Sequence, residues 1–115
     1  MNDKGRLRKG LESGVCVVLV LHSPREKCWG LLERIDAAGV FLRGLDLNSF
    51  DDLMHAVAHE EPFFGVADLF FPMWRVERVT LDERAGEVPS LAEQFEKRTG
   101  RSALEFLGAE ADSGA

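Results

Sequence analysis

No stretch of this 115-residue chain is apolar for the roughly 20 residues that a membrane-spanning helix needs. The polar, basic opening with Lys4, Arg6, Arg8 and Lys9 is not followed by the apolar core of a secretion signal. A cytoplasmic location with no membrane partner is the expectation. Cysteine is scarce, and the two present, Cys16 and Cys28, fall on neighbouring expected strands. If the hairpin between them turns at residues 23–26, Leu21 stands opposite Cys28, and the sulfurs are out of register for a disulfide. Buried reduced thiols are expected instead. Lysine and arginine are outnumbered 14 to 20 by acids, for a net charge of −6. Residues 46–61 hold five acids and no Lys or Arg, and from residue 82 onward eight acids face four bases. Charge therefore predicts no general affinity for a phosphate backbone.

Signatures of catalysis are missing as well. There is no G-x-S-x-G elbow, no H-E-x-x-H, no P-loop and no cysteine paired by motif with a histidine. Cys28 and His22 flank one hairpin and form the one nucleophile and base pair worth weighing, and strand-end packing accounts for both more simply. Asp51, His55 and His59 would share one face of a helix with metal-ligand spacing, but a solvated polar face opposite the apolar stripe explains them without a third fixed ligand. The chain is read as no enzyme, with no cofactor and no metal.

What is present is a series of short apolar runs joined by tight turns, which predicts a small β-barrel. Residues 15–21 are apolar on both alternating faces, so this strand should be covered on two sides, by the barrel interior and by a helix or a neighbouring subunit. A second strand spans 27–36 with Gly30 inside it as a point of bending. A third covers 40–45, a fourth 66–71 and a fifth 75–81, with a corner at Pro72, Met73 and Trp74. The insertion between strands three and four, residues 48–61, carries Phe50, Leu53, Met54 and Val57 at helical spacing, with Ser49 as candidate N-cap. Ser90-x-x-Glu93 and Ser102-x-x-Glu105 are two capping-box signals in a C-terminal extension, residues 89–108, with Leu91, Phe95, Leu104 and Leu107 on the apolar sides. Residues 7–11 allow one short helical turn. The expectation is a single domain over 1–115, mainly β with helical additions, in which a barrel spans 14–82.

The pattern Val15-x-Val17-x-Leu19, then Gly30, Leu32, Ile35 and Asp36, then the short third strand through Leu42 and the pair of strands over 70–79, resembles the Sm-like family of bent five-stranded barrels. That resemblance implies a small five-stranded Sm-like barrel that assembles with copies of itself, commonly into rings, and binds single-stranded RNA. The chain departs from the family where function is concerned. Gly39-Val40 stands where the family has a Met-Asn pair that contacts a base, and Pro72-Met73-Trp74-Arg75 replaces the Arg-Gly or Lys-His of the second motif. An Arg-Gly pair occurs instead at Arg43-Gly44. The spacing of Pro72, Val76 and Val79 also resembles the PRC-barrel family, whose members act as protein-interaction or assembly modules. Candidate ligand-binding residues are Trp74, as a stacking platform, with Arg43 and Arg75 on phosphates. The partner is a second copy of the chain together with either RNA or protein.

Overall fold

The computed structural model describes residues 10–113, with side chains through residue 108. The helical turn expected at 7–11 lies largely outside them. The described residues are mainly β, with helical additions. Strand β1 (Cys16–Leu21) is continuously apolar and rich in valine, a composition suited to a strand covered on both faces. It pairs antiparallel with β2 (Glu26–Ile35) on one side and β5 (Val76–Leu81) on the other, while β3 (Gly39–Asp46) joins β2 to β4 (Ala67–Pro72). The result is a five-stranded sheet in the order β4-β3-β2-β1-β5. Helix α1 (Phe50–Ala58) lies between β3 and β4, and α2 (Leu91–Thr99) and α3 (Ala103–Ser113) follow β5.

The sheet is strongly curled, and its connections show why. Strands β4 and β5 occupy opposite edges, which in a flat sheet would stand about 19 Å apart. Yet the chain crosses between them through one three-residue 3₁₀ turn, Met73–Arg75. The Met73 N–H donates to Ala38 O (3.0 Å) in the β2–β3 turn, and Arg75 O accepts from His22 N–H (2.9 Å) in the β1–β2 turn. Those turns sit at the two ends of the ten-residue β2. A straight β2 would hold them about 33 Å apart, whereas the corner brings them within roughly 15 Å. Strand β2 must bend sharply, and Gly30 at its centre pairs with Gly44 of β3. A Cβ on Gly30 would collide with the Arg43 carbonyl and come within 2.6 Å of the Gly44 Cα. Two facing glycines thus allow the close approach that the bend requires.

The expectation of a closed barrel is corrected in one respect. The two edges meet only at the corner and share no ladder, because the 3₁₀ turn diverts the chain and sends β5 to pair with β1. The sheet stays open, with β4 and β5 as its edges.

Alternation along the strands makes two cores. On the concave side Val17, Leu19 and Leu21 of β1 pack with Cys28 and Leu32 of β2 and Val40 and Leu42 of β3. On the convex side Trp29 and Leu45 lie under the helices with Phe50, Leu53, Met54, Phe95, Phe106 and Leu107. Trp29 is fully buried. Its ring meets Phe50 of α1 edge-on at 5.0 Å and Phe95 of α2 at 6.3 Å, and Phe95 in turn meets Phe106 of α3 at 5.4 Å. One aromatic chain therefore fastens all three helices to β2. A polar clamp reinforces it: the Asp82 carboxylate accepts from Trp29 Nε1 (3.0 Å) and from the Leu91 and Ala92 N–H groups (both 2.8 Å) that open α2.

Several local expectations are refined. Cys28 faces Leu19, and Cys16 faces Leu31, so the thiols are three positions apart and on opposite faces of the sheet; Leu21 faces Glu26. Both cysteines are buried and unbonded to each other. Ser49 makes no side-chain cap to α1, because Asp46 already holds the preceding 3₁₀ turn by accepting from Asn48 N–H at 2.7 Å. Ser90 and Glu93 form a reciprocal capping box, and Gly100 ends α2 with φ 75°. Among the described side chains of α3, Ala103, Phe106 and Leu107 are buried, while Leu104 faces outward.

Candidate functional site

Trp74 stands on the 3₁₀ corner and is 66% exposed, with Met73 beside it also exposed. The corner conformation explains this. Pro72 enters in an extended conformation, and the tight turn projects Trp74 away from both cores. Arg75, next in sequence, is turned inward. Its Nε donates to His22 O (3.2 Å), its Nη2 donates to Pro24 O (2.6 Å), and Glu26 Oε1 lies 3.7 Å away. It fastens the β1–β2 turn to the corner.

Arg43 sits elsewhere, on the convex face of β3. It is buried to 8% exposure, and its Nη1 pairs with Asp68 Oδ1 of β4 at 3.4 Å. The three residues expected to bind a ligand are therefore not brought together. Trp74 is presented to solvent, while both arginines are committed to neighbouring strands and turns.

Two further surface features are formed by the sheet. On the convex face of the sheet, the Arg34 guanidinium lies 4.1 Å from the Phe41 ring centroid, and Phe41 lies 4.7 Å from Phe70. Cross-strand register brings them together, since Arg34 pairs with Phe41 and Phe41 with Phe70. Arg34 also bonds Asp36 at 3.0 Å, and Asp36 closes the β2–β3 turn by accepting from the Ala38 N–H at 2.9 Å. That backbone hydrogen bond, with the Gly39 N–H and Arg34 assisting, holds the Asp36 carboxyl below its usual range. The second feature is the pair of open edges. Along β4, Leu69 and Phe71 continue the concave core, while Asp68 and Phe70 face the convex side. Along β5, Val79 and Leu81 continue the same core, while Arg78 and Thr80 lie opposite. Half-buried apolar residues thus run to both edges, with Asp68 on β4 and both Glu77 and Arg78 on β5.

The His55 and His59 rings stack at 4.2 Å, with His59 Nδ1 donating to His55 O at 2.8 Å, and Asp51 pairs with Arg98 at 3.8 Å. Among the described residues no group of three or more His, Cys, Asp or Glu side chains converges to hold a metal. His22 Nδ1 lies 3.1 Å from Ser23 Oγ. Burial, reinforced by the charges of Asp46 and Glu26, pushes the Cys28 thiol up to about 11, which disfavours the thiolate. Among the described residues no helix is long and apolar enough to cross a membrane.

Compared with known protein families, curated proteins and solved structures, the chain matches none of them.

Proposed function

We propose that this chain is a non-enzymatic, cytoplasmic interaction module of small-barrel type, Sm-like in its strand pattern, that assembles head to tail with copies of itself through its sheet edges and engages protein partners on the resulting oligomer. The two open edges carry the reading. An unpaired strand edge is a template for another strand, and β4 and β5 complement one another. Their concave sides continue the core through Leu69, Phe71, Val79 and Leu81, and their convex sides carry Asp68 on β4 and Arg78 on β5. Joining unlike edges gives a heterologous contact that closes into a ring or extends as a filament.

A protein partner is favoured over RNA by the same geometry. Arg43 and Arg75, the cations expected to hold phosphates, are occupied by Asp68 and by the β1–β2 turn, and the net charge is −6. Trp74 beside Met73 then serves as an aromatic anchor of the kind that dominates protein interfaces.

Light scattering on the full chain tests the assembly. A mass several times 12.8 kDa at micromolar concentration is expected, with Phe70→Lys and Arg78→Glu each shifting it toward the monomer without loss of helical and strand signal. A wild-type monomer would overturn the proposal. Salt-sensitive binding of a labelled single-stranded oligonucleotide, lost in Trp74→Ala, would return the function to RNA.

A further inference from the structure

Between the loop that joins α1 to β4 and the turn that joins α2 to α3, the surface is hollowed into a groove of about 690 Å³. Its apolar lining comes from Val57 of α1, Pro62 and Phe63 of the loop and Phe106 of α3. Phe64 lines the same groove yet is 92% exposed, the most exposed of the large apolar residues described. The loop explains why. Phe63 packs against the convex core, and its ring lies over Gly65, where an added Cβ would come within 2.7 Å of it. With the inward place taken by Phe63, Phe64 is left outside. The charged groups of this surface are of both signs: Glu60 and Glu61 follow α1, and Arg101 stands between α2 and α3. The Arg101 guanidinium lies 5.0 Å from the Phe106 ring centroid, and among the described residues no ion pair joins it to either glutamate.

A protruding ring beside a hollow, with acid and base on the one surface, is complementary to itself. Two copies related by a twofold axis can offer each Phe64 to the other's groove and each Arg101 to the other's Glu60 and Glu61. We propose that the protein forms this isologous dimer. Phe64 is its aromatic anchor, buried only on association. Arg101, stacked on Phe106, supplies the charge that fixes the orientation of the two copies. The contact is separate from the sheet edges. Edge pairing joins unlike surfaces into a ring or filament, whereas this contact joins like surfaces, so it ties two such assemblies together and also stands without them.

Sedimentation of the full chain with its edges disabled by Phe70→Lys/Arg78→Glu isolates the contact. A mass of twice 12.8 kDa is expected, falling to the monomer when Phe64→Glu is added. Because Phe64 is exposed in the single chain, that substitution should leave the circular dichroism unchanged. Loss of an interface anchor weakens association by about thirtyfold per copy, hence by roughly 1,000-fold for the symmetrical pair. Charge gives the sharper result. Arg101→Glu alone, and Glu60→Arg/Glu61→Arg alone, each set like charges against one another in both halves of the interface and should be monomeric. Mixed, the two variants should dimerise, since each presents the charge that the other lacks. A dimer that persists in Phe64→Glu, or a mixture that stays monomeric, would overturn the proposal. So would a monomer with Phe64 intact, which would assign the surface to a different protein or to none. If only the edge pairing is wrong, wild type is itself the dimer. If the edge variant does not fold, the mixing is done with wild-type edges and separately purified chains, where pairing doubles the mass and an unchanged mass overturns the dimer.

Discussion

Replacing Asp82 with alanine should be among the most damaging single polar substitutions in this protein, and the structure indicates how large the loss is. The carboxylate accepts three N–H groups from two elements distant in sequence: the Trp29 indole on β2 and the Leu91 and Ala92 amides at the start of α2. Without it, the indole N–H of the fully buried Trp29 loses its partner, at a cost of about 1–3 kcal/mol. Loss of the negative charge at the α2 N-terminus adds about 0.5–1 kcal/mol. Asp82→Ala is thus expected to cost about 2–4 kcal/mol, which at this chain length lowers Tm by roughly 10–25 °C. Asp82→Asn should cost about half as much, because its single oxygen can still serve Trp29 and Ala92 but not Leu91. Urea denaturation followed by far-ultraviolet circular dichroism measures both. The pairing itself is isolated by a double-mutant cycle with Trp29→Phe, where a coupling above about 1 kcal/mol is expected. A loss under about 0.5 kcal/mol in Asp82→Ala, or a coupling near zero, would refute the clamp.

Three further outcomes follow from particular contacts. Gly30→Ala and Gly44→Ala should each destabilise by about 3 kcal/mol or more, since the new Cβ meets backbone of the facing strand at the bend; near-wild-type urea midpoints would contradict this. Arg75→Ala should cost about 1–2 kcal/mol through loss of its bonds to the His22 and Pro24 carbonyls, and Arg75→Lys should recover only part of it in thermal melts. The Ser90 N–H, then Arg84, holds the Glu93 carboxyl below its usual 4.5, as turn hydrogen bonds hold Asp36 below 3.8. Both groups therefore stabilise the fold above those values, and that contribution is lost as pH falls through their lower folded pKa values. Acid titration of Asp36→Asn/Glu93→Gln should accordingly converge on wild type at low pH, and a gap that persists there would refute the assignment.

Much of the strand order along the chain was legible because local patterns encode it. The two-faced apolar β1, the helical stripe at Phe50, Leu53 and Met54, and the Ser90 capping box are all signals carried within a few residues. Which strands form the open edges was not legible, since it depends on which partner β5 chooses after the Met73–Arg75 turn, a non-local decision. The candidate binding residues fared unevenly for the same reason. A proline-flanked corner correctly suggested an exposed Trp74, whereas nothing near Arg43 or Arg75 discloses that Asp68 and the β1–β2 turn lie across from them. The Arg34–Phe41–Phe70 stack is invisible until strand register is known. Trp29 stood in the second expected strand without any assigned role, and its burial beneath three helices depends on Phe50, Phe95 and the rest of the convex core.

The short corner also bears on the order in which the molecule can form. The β1–β2 and β2–β3 hairpins close over a few residues, but pairing Leu21 with Val76 closes a loop of about 55 residues, which costs about 2 kcal/mol more in chain entropy. Docking of β5 should accordingly come late, so that substitutions at Val79 or Leu81 accelerate unfolding more than they slow folding. Until it docks, β1 keeps one edge unpaired, and β1 is the strand with no polar residue on either face. Nascent or heated chains are then most prone to aggregate through the strand that ends up most deeply enclosed.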